Sequence, residues 1–376
     1  MKIKYLALLF IASLFGACGS PKPQTQVNED VSVVYFCKDI TPDNVLKLYE
    51  ALGVNLEGKI GLKVHFGEEG NQNFLNPELL RPLVDKTNPT FVETNVLYVS
   101  KRRFTDSHIE LAKEHGFDFA PIDILDAEGE IEYPCEGLKH YTKIKTGSHF
   151  PNYDAYIIYS HFKGHGSAGF GGAIKNVSMG LASPGGKMAM HASEVPAVAK
   201  PELCVGCNRC VEQCPANAIT ITSEGPIIDP EKCLGCAKCI AECGLRVFAP
   251  ERKELSDNVF LERLVEYAKV LSDQKPMVYI NVMDNISKTC DCSAHAPAPF
   301  MDKVGMVAST DIVAIEMACH ELTAKKFGCE DAFLEVNNVS GLGQVEYAEQ
   351  LGMGNKKYVL VDVITGEKIS IEEAIK

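Results

Sequence analysis

The sequence predicts an α/β fold in which a largely parallel sheet is flanked by helices, with a small α+β segment inserted into it. From residue 31 onward, short apolar strands alternate with helical patterns. That alternation resumes after a cysteine-rich segment, residues 199–250. A length of 376 residues with 46% apolar content is also sufficient for more than one domain and a sizeable buried core.

The first part of the α/β domain is predicted to occupy residues 31–195. Thr41 is the predicted N-cap of a helix that has Pro42 in its first turn and ends before Gly53. A later helix is predicted to close at Gly116. The predicted elements are, in order, strand 31–36, helix 42–52, strand 59–66, helix 77–86, strand 90–96, helix 106–115 and strand 154–160.

The second part of the α/β domain is predicted to occupy residues 252–376. Its predicted elements are helix 257–271, strand 277–283, strand 304–308, helix 311–327, helix 345–351 and strand 357–363. Because strands and helices alternate on both sides of residues 199–250, we interpret that segment as an insertion into one larger domain.

Residues 1–17 have the pattern of a signal peptide, because two lysines precede an apolar run that is too short to span a bilayer. Gly16 and Ala17 come immediately before Cys18, as in a lipoprotein box. We therefore predict that Cys18 is lipidated and that the protein is anchored in the cell envelope, on the periplasmic or outer-membrane side. Residues 18–30, rich in Pro, Gln, Ser and Thr, form the predicted tether. An ordinary signal peptide with an incidental cysteine is the alternative.

The segment 199–250 carries two cysteine runs of identical spacing, the first followed by Pro215. This is the spacing of two-cluster bacterial ferredoxins, in which the fourth cysteine of each run ligates the other cluster. The sequence therefore predicts a ferredoxin-type domain with two [4Fe–4S] clusters. The predicted ligands are Cys204, Cys207, Cys210 and Cys243 for the first cluster, and Cys233, Cys236, Cys239 and Cys214 for the second.

A pair of structural zinc sites is the alternative interpretation of these cysteines. Zinc sites use pairs of cysteines, so zinc would leave the third and fourth cysteines of each run without a role. Between the two runs, residues 218–222 and 226–229 predict a small hairpin. A module of this size depends on its clusters for much of its folding energy.

Three further residues are candidates for catalysis. Residues 164–172 contain five glycines, so their backbone amides could approach an anion while Lys175 supplies positive charge. The alternative is a flexible loop at the edge of the sheet. His161 and His165 are four residues apart and are either metal ligands or a structural pair.

Cys290, Cys292 and His295 follow predicted strand 277–283 and could supply three ligands to an additional metal ion. A redox-active thiol pair and two ordinary loop cysteines are the alternatives. If the strand before them is parallel to its neighbour, these residues lie at the sheet edge where open α/β folds bind ligands.

Several segments resemble the iron–sulfur center protein family built on domain of unknown function 362. The matching stretches are residues 63–67, 160–165 and 169–176, Met179 with Gly180, Cys290-Asp-Cys292 with His295, and residues 308–314. The resemblance implies the α/β fold and an iron–sulfur cofactor, and it does not imply a particular reaction.

The sequence therefore predicts an iron–sulfur electron-transfer protein that is the redox module of an oxidoreductase. Its predicted partner is an unidentified redox protein or small molecule. The alternatives are a non-enzymatic ferredoxin-like electron carrier and a metal-binding protein. A formal net charge of −13 argues against nucleic-acid binding through the overall field of the protein.

Overall fold

The computed structural model describes residues 31–191, 195–251 and 257–376. The predicted signal peptide, residues 1–17, and the predicted tether, residues 18–30 with Cys18, lie outside these residues. The strands are β1 Ser32–Cys37, β2 Ile60–Lys63, β3 Thr90–Glu93, β4 Ile122–Ile124, β5 Glu130–Pro134, β6 Lys143–Gly147, β7 Ala155–His161, β8 Lys163–His165, β9 Gly169–Gly171, β10 Ala197–Val198, β11 Ile219–Thr222, β12 Gly225–Ile228, β13 Phe248–Ala249, β14 Met277–Met283, β15 Gly305–Ser309, β16 Tyr358–Asp362 and β17 Lys368–Ile369.

The helices account for most of the remaining regular structure. They are α1 Pro42–Ala51, α2 Arg81–Thr87, α3 Thr105–Glu114, α4 Ala173–Leu181, α5 Pro184–Met190, α6 Arg209–Glu212, α7 Lys238–Glu242, α8 Asp257–Gln274, α9 Ile312–Phe327, α10 Ala332–Asn337, α11 Leu342–Gln350 and α12 Ile371–Ile375. Short 3₁₀ helices occur at Pro77–Leu80, Lys101–Arg103, Phe150–Asn152 and Pro201–Leu203.

Within the described residues, nine strands form one sheet in the order β17-β16-β1-β15-β14-β7-β2-β3-β4. The run from β14 through β7, β2 and β3 to β4 is parallel throughout, and β16 is parallel to β1. The pairs β17–β16, β1–β15 and β15–β14 are antiparallel. The prediction of a largely parallel α/β sheet is confirmed.

Strand β7 lies at the centre of this sheet and is buried along its whole length. Its alternating side chains enter two different cores: Ile157 and Tyr159 pack on the face covered by α1, α2 and α3, and Tyr156 and Ile158 pack on the other. The second face is covered by α4, α8, α9 and α11. Because helices cover both faces, the central strands are almost entirely apolar.

Most predicted elements are present with shifted ends. Thr41 caps α1 as predicted, accepting a hydrogen bond from the amide of Asn44. The predicted helix 77–86 begins instead as the 3₁₀ turn Pro77–Leu80 before α2. Strands β4, β5 and β6 and helices α4 and α5 are absent from the predicted elements. The three strands have only three to five residues, and α5 contains two adjacent glycines.

The cysteine-rich segment contributes no strand to the nine-stranded sheet. Its first and last strands, β10 and β13, pair with each other, so the chain enters and leaves the segment at neighbouring points. The predicted hairpin is confirmed as β11 and β12. In the described ranges, no helix is long and apolar enough to cross a membrane.

Asp311, the N-cap of α9, connects several elements. Its carboxylate accepts hydrogen bonds from the amides of Val313 and Ala314, from Ser32 Oγ at 2.6 Å and from the amide of Asn355 at 2.8 Å. One carboxylate therefore fixes the start of α9 against β1 and the segment before β16. This role explains why the matching stretch 308–314 contains an aspartate.

We predict that Asp311→Ala lowers the free energy of unfolding by about 2–4 kcal/mol, because it removes a helix cap and leaves charge-assisted hydrogen bonds unmade. Thr41→Ala, which removes one capping bond at the exposed start of α1, should cost about 1 kcal/mol. Denaturant unfolding of both variants measures the difference. Equal losses would contradict the connecting role of Asp311.

Candidate functional site

The parallel strands β2, β3, β7 and β14 all end at one edge of the sheet, and polar residues follow each of them. Lys63 ends β2, Glu93 ends β3 and His161 ends β7. The loop after β14 carries Cys290 and Cys292. The conditional prediction that strand 277–283 is parallel to its neighbour is confirmed, which puts this loop at the carboxyl edge, where open α/β sheets bind ligands.

Four buried charged or polar side chains form a network at this edge. Glu93 contacts Arg102 Nη2 at 2.6 Å and His108 Nε2 at 3.0 Å, and Lys63 Nζ lies 3.9 Å away. Burial opposes ionisation of Glu93, but the charge of Arg102 and neighbouring cations holds its pKa well below the usual value. Burial lowers the pKa of Lys63 to about 7. The network compensates charges that would otherwise be costly to bury.

Loop 67–75, which follows β2, holds the cysteine-bearing loop in place. Three hydrogen bonds run from the first loop to backbone carbonyls of the second: Glu68 N to Asp291 O at 3.1 Å, Asn71 Nδ2 to Ser293 O at 2.8 Å, and Asn73 Nδ2 to Pro297 O at 2.9 Å. Asn71 and Asn73 are themselves buried. Residues 290–297 are therefore fixed by tertiary contacts as well as by their own turn.

His161 is held between two oxygen acceptors. Its Nδ1 lies 2.9 Å from Asp291 Oδ2, and its Nε2 lies 2.6 Å from the carbonyl oxygen of Asp284. Lys163 Nζ lies 3.5 Å from the same Asp291 carboxylate. Because both ring nitrogens of His161 face oxygen atoms, neither presents a lone pair to a metal ion. This arrangement supports a positioning role for His161 towards Asp291.

His165 makes local contacts of a different kind. Its Nδ1 accepts hydrogen bonds from the amides of Ser167 and Ala168, and its ring stacks on Phe260 with centroids 6.4 Å apart. Burial and the nearby Lys175 lower the pKa of His165 well below its usual value. His165 is therefore neutral and holds the turn between β8 and β9.

The first amides of α4, which follows the glycine-rich stretch, are hydrogen-bonded to a carboxyl group of the protein itself. Glu316 Oε1, from α9, accepts a hydrogen bond from the amide of Ile174 at 3.0 Å, and the amide of Ala173 also bonds to this side chain. A Cβ on Gly172 would lie 2.6 Å from Glu316 Oε1. Gly172 leaves room for the Glu316 side chain, and burial raises the pKa of Glu316 to about 7.

Lys175, on the first turn of α4, points at the cysteine-bearing loop. Its Nζ lies 3.8 Å from Cys290 Sγ. Cys290 is buried and Cys292 is half-buried. The amide of Cys292 lies 3.5 Å from Cys290 Sγ, so the first side chain folds back over the second residue. The positive charge predicted for Lys175 is thus directed to a sulfur atom.

The surroundings of Cys290 and Cys292 shift the pKa values of the two thiols in opposite directions. A hydrogen bond from Cys292 and the charges of Lys175 and Lys163 lower the pKa of Cys290 well below its usual value, against the effect of burial. The same hydrogen bond and burial raise the pKa of Cys292 well above its usual value. We call these two residues the thiol pair; Cys290 is the member whose surroundings favour the thiolate.

His295 is exposed, whereas Cys290 is buried. In the ranges that the structure covers, no group of three or more His, Cys, Asp or Glu side chains is placed to hold a metal ion. The imidazole of His295 and the sulfur of Cys290 therefore have different surroundings, and the additional metal site at Cys290, Cys292 and His295 stays a prediction.

The two cysteine runs adopt the same backbone path. Gly206 and Gly235 both have positive φ, 67° and 64°, and the residues after the second cysteines, Asn208 and Ala237, both have φ of 61°. Each run then enters a short helix, α6 or α7. The repeated left-handed positions fold each run into a tight loop that turns its cysteines towards one centre.

The cysteines gather in the crossed sets predicted from the sequence. Cys210 lies within electrostatic range of Cys204, Cys207 and Cys243. The second set, Cys233, Cys236, Cys239 and Cys214, lines a single cavity. The remaining cavity walls are mostly apolar, with Ile219 and Ile228 from the hairpin among them. Four sulfur donors around one apolar cavity are the ligand set that a [4Fe–4S] cluster requires.

Residues 97–103 lie between the cysteine-rich segment and the thiol pair. Leu97 packs in the apolar core of that segment, and the next residue, Tyr98, lies within electrostatic range of both thiols of the pair. Arg103 lies within electrostatic range of Cys243. Arg102, one residue earlier, is in range of Cys292. Neighbouring residues of one short segment thus contact both sulfur-bearing sites.

Helix α5 forms a second contact between the two regions. Met188 is buried in the apolar core of the cysteine-rich segment. A Cβ on Gly185 would lie 2.7 Å from the carbonyl oxygen of Gly235, so the backbones approach closely. Lys187 Nζ donates to Thr94 Oγ1 and two backbone carbonyls, and burial lowers its pKa to about 8. The helix therefore joins the second cysteine run to the loop after β3.

The sequence analysis missed Glu93, Arg102 and Lys187. Each is a single charged residue without a recognisable spacing, and only the fold brings it to the carboxyl edge. Lys63 and Lys163 lie in stretches 63–67 and 160–165, which resemble the DUF362 family. That resemblance was the only feature of the sequence that pointed to these two lysines.

The fold and the site define an α/β protein with a thiol-bearing carboxyl edge and an appended cysteine-rich segment. The sequence model of the family described as Domain of unknown function (DUF362) matches residues 60–321. The protein belongs to this DUF362 family, because the match covers well over half of the chain.

Two solved structures align with the chain at low identity. The lactate racemase apoprotein from Thermoanaerobacterium thermosaccharolyticum aligns at 12% identity and a TM-score of 0.33, covering 69% of this chain and 52% of its own. A protein from Thermotoga maritima aligns at 11% identity and a TM-score of 0.34, covering 82% of this chain and 58% of its own. The chain thus spans little more than half the length of either structure. A comparison with curated proteins finds no match.

The raised pKa of Glu316 predicts a specific pH dependence of stability. Between its ordinary pKa of 4.5 and about 7, the folded protein keeps a proton on Glu316 that the unfolded chain has lost. The free energy of unfolding therefore falls through this window as pH rises, by on the order of 1 kcal/mol per pH unit from this group.

Glu316→Gln should remove this contribution, so its stability relative to the unmodified protein should increase from pH 4.5 to 7 and level off above that. Anaerobic denaturant unfolding across this pH range is the measurement. Glu335→Gln, which changes an exposed carboxylate on α10, is the matched control and should follow the unmodified protein. Parallel curves for Glu316→Gln and the unmodified protein would show that Glu316 is ionised at pH 5.

Proposed function

We propose that this member of the DUF362 family is an iron–sulfur electron-transfer protein and the redox module of an oxidoreductase. In this proposal, residues 199–250 form a ferredoxin-type domain inserted between the α/β parts 31–195 and 252–376. The observation that carries the proposal is the crossed set of four cysteines, Cys214 among them, around one cavity. Zinc does not require such a crossed arrangement.

The donor set fits two [4Fe–4S] clusters. Cys204, Cys207, Cys210 and Cys243 would hold the first, and Cys233, Cys236, Cys239 and Cys214 the second. Bound clusters supply one-electron transfer at low potential. Burial raises the pKa of the Cys239 thiol to about 12, so a thiolate there requires the positive charge of bound iron. In a [4Fe–4S] cluster each cysteine binds a different iron atom. The four sulfur atoms of a set therefore need not be close enough together to coordinate a single ion.

The two cysteine runs have different surroundings. Val205, beside Cys204, is 73% exposed, and Cys207 is exposed as well. The second run instead lies against α5 and close to Gly185. An external redox partner would therefore meet the first run at Val205 and Cys207, while the second run and Cys243, the remote ligand of the first cluster, lie near the α/β domain.

Residues 97–103 favour an oxidoreductase over a ferredoxin-like carrier. A carrier needs only an exposed cluster and a docking surface. Here residues 97–103 join the cysteine-rich core, at the buried Leu97, to the carboxyl edge of the sheet, at the buried Arg102. The edge supplies a thiolate, lysines and a buried carboxylate network, which are the components of a reaction site.

We further propose that the protein is lipid-anchored through Cys18 and faces the outside of the cytoplasm in the cell envelope. The support is the short apolar run and the small residues Gly16 and Ala17 before Cys18. Residues 18–30 would separate the anchor from β1.

Cys214→Ala should reduce the iron content of anaerobically purified protein from about eight to about four atoms per chain, because Cys214 completes the cluster held by the second run. Iron and acid-labile sulfide analysis together with electron paramagnetic resonance measures this. Cys329→Ala, at a half-buried cysteine outside both sets, is the control and should retain all the iron. Bound zinc, or about four irons in the unmodified protein, would refute the two-cluster assignment.

Cys18→Ala should move the protein from the membrane fraction to the soluble fraction of expressing cells, because it removes the predicted lipid attachment site. Immunoblotting of fractions and metabolic labelling with a fatty-acid analogue measure the change. Cys37→Ala, at a cysteine in β1, controls for general effects of cysteine loss. Membrane association that persists in Cys18→Ala would rule out this anchor.

A further inference from the structure

We propose that the thiol pair, Cys290 and Cys292, is a reversible dithiol–disulfide centre that exchanges two electrons with the clusters. This inference rests on the proposed function, since the clusters supply and accept the electrons. It assigns the reacting group at the carboxyl edge, which the cluster assignment leaves open.

The positions of the two sulfur atoms support this assignment. The Cys290 side chain folds back so that its sulfur lies 3.5 Å from the amide of Cys292. The sulfur of the first cysteine therefore lies beside the residue that would be its disulfide partner. Cys290 is shielded from solvent, while Cys292 is half-buried and can be reached from outside.

The surroundings of the pair stabilise the reduced form. Lys175 Nζ lies 3.8 Å from Cys290 Sγ. Lys163 Nζ lies 3.5 Å from Asp291, the residue between the two cysteines, and is in electrostatic range of both sulfurs. Two ammonium groups beside one sulfur favour a thiolate over a neutral thiol. Asp291 and His161 hold the loop from its other side.

The backbone of the loop is fixed by neighbours that do not include the sulfur atoms. The three hydrogen bonds from loop 67–75 hold the carbonyls of residues 291, 293 and 297. The amide of Gly164 donates to the carbonyl oxygen of Ser287 at 2.9 Å, which holds the loop at its start. None of these bonds involves a cysteine side chain, so disulfide formation would break none of them.

The electron balance of the step is complete. Reduction breaks the bond between Cys290 Sγ and Cys292 Sγ, takes two electrons and takes one proton. The proton ends on Cys292 and the negative charge on Cys290, the residue beside Lys175. Two bound [4Fe–4S] clusters, held by the cysteines assigned above, would supply the two electrons, one from each. Oxidation would reverse the step and return both electrons.

The test uses the cluster-loaded protein under anaerobic conditions. The protein is oxidised with oxidised glutathione, its free thiols are blocked with N-ethylmaleimide, and it is digested with trypsin. Cleavage after Lys288 and Lys303 places both cysteines in one peptide, residues 289–303. We expect this peptide to lack two hydrogens and to carry no maleimide. Two maleimides on the peptide after oxidation would overturn the proposal.

Dependence on the clusters is measured by adding dithionite to the oxidised protein and following the loss of the disulfide. We expect opening to be at least about tenfold slower in Cys214→Ala, which lacks one cluster, while dithiothreitol opens the disulfide equally fast in both proteins. Equal rates with dithionite would overturn the electron exchange. Iron analysis and paramagnetic resonance of the same samples report the clusters separately, so failure of the cluster assignment is distinguishable from failure of the thiol pair.

The role of Lys175 is tested by the equilibrium between the pair and dithiothreitol. In Lys175→Gln, loss of the charge beside Cys290 should shift this equilibrium towards the disulfide by about three- to tenfold. Lys175→Arg should restore most of the effect, since it retains the charge. A shift of the same size in both variants would indicate a packing role for Lys175 and would contradict its stabilisation of the thiolate.

Discussion

The parallel pairing of β14, β7, β2, β3 and β4 is the constraint on which the rest of the structure depends. Parallel strands have their carboxyl ends at one edge, so the loops after five strands come together there. Those loops carry the thiol pair and the lysines and carboxylates around it. Strand β15 is antiparallel to β14 and begins at this edge, where the cysteine-bearing loop ends, whereas β17 lies at the far side of the sheet.

Charge compensation makes that edge rigid. An unpaired buried charge costs several kcal/mol, so each buried ion here needs partners. Glu93 has Arg102 at 2.6 Å, and Lys187 donates to three oxygen atoms. Lys187 thereby connects α5 to Thr94 and Asn95 in the loop after β3, whereas the Glu93–Arg102 pair closes that loop onto the end of β3. The same ions that are costly to bury thereby fix the relative positions of the loops around the thiol pair.

The cysteine-rich segment is attached so that it stays close to this edge. The β10–β13 ladder brings its two ends together, which allows the segment to leave the sheet without disturbing it. Leu97 and Met188, from two separate parts of the α/β fold, are buried in its core. A carrier domain attached to the sheet only through its two chain ends would need no contact beyond the β10–β13 ladder. The additional apolar contacts hold the segment against residues 97–103 and α5.

The sequence by itself determined the alternation of strands and helices, the cap of α1, the hairpin β11–β12 and the crossed cysteine sets, because each depends on local spacing. It also indicated the thiol pair, without choosing between metal binding and redox chemistry. Only the tertiary structure decided that Lys175 faces Cys290 and that Glu316 caps α4. These two contacts join residues 115 and 142 positions apart in the chain. No local pattern encodes which loops will meet once the strands align in parallel.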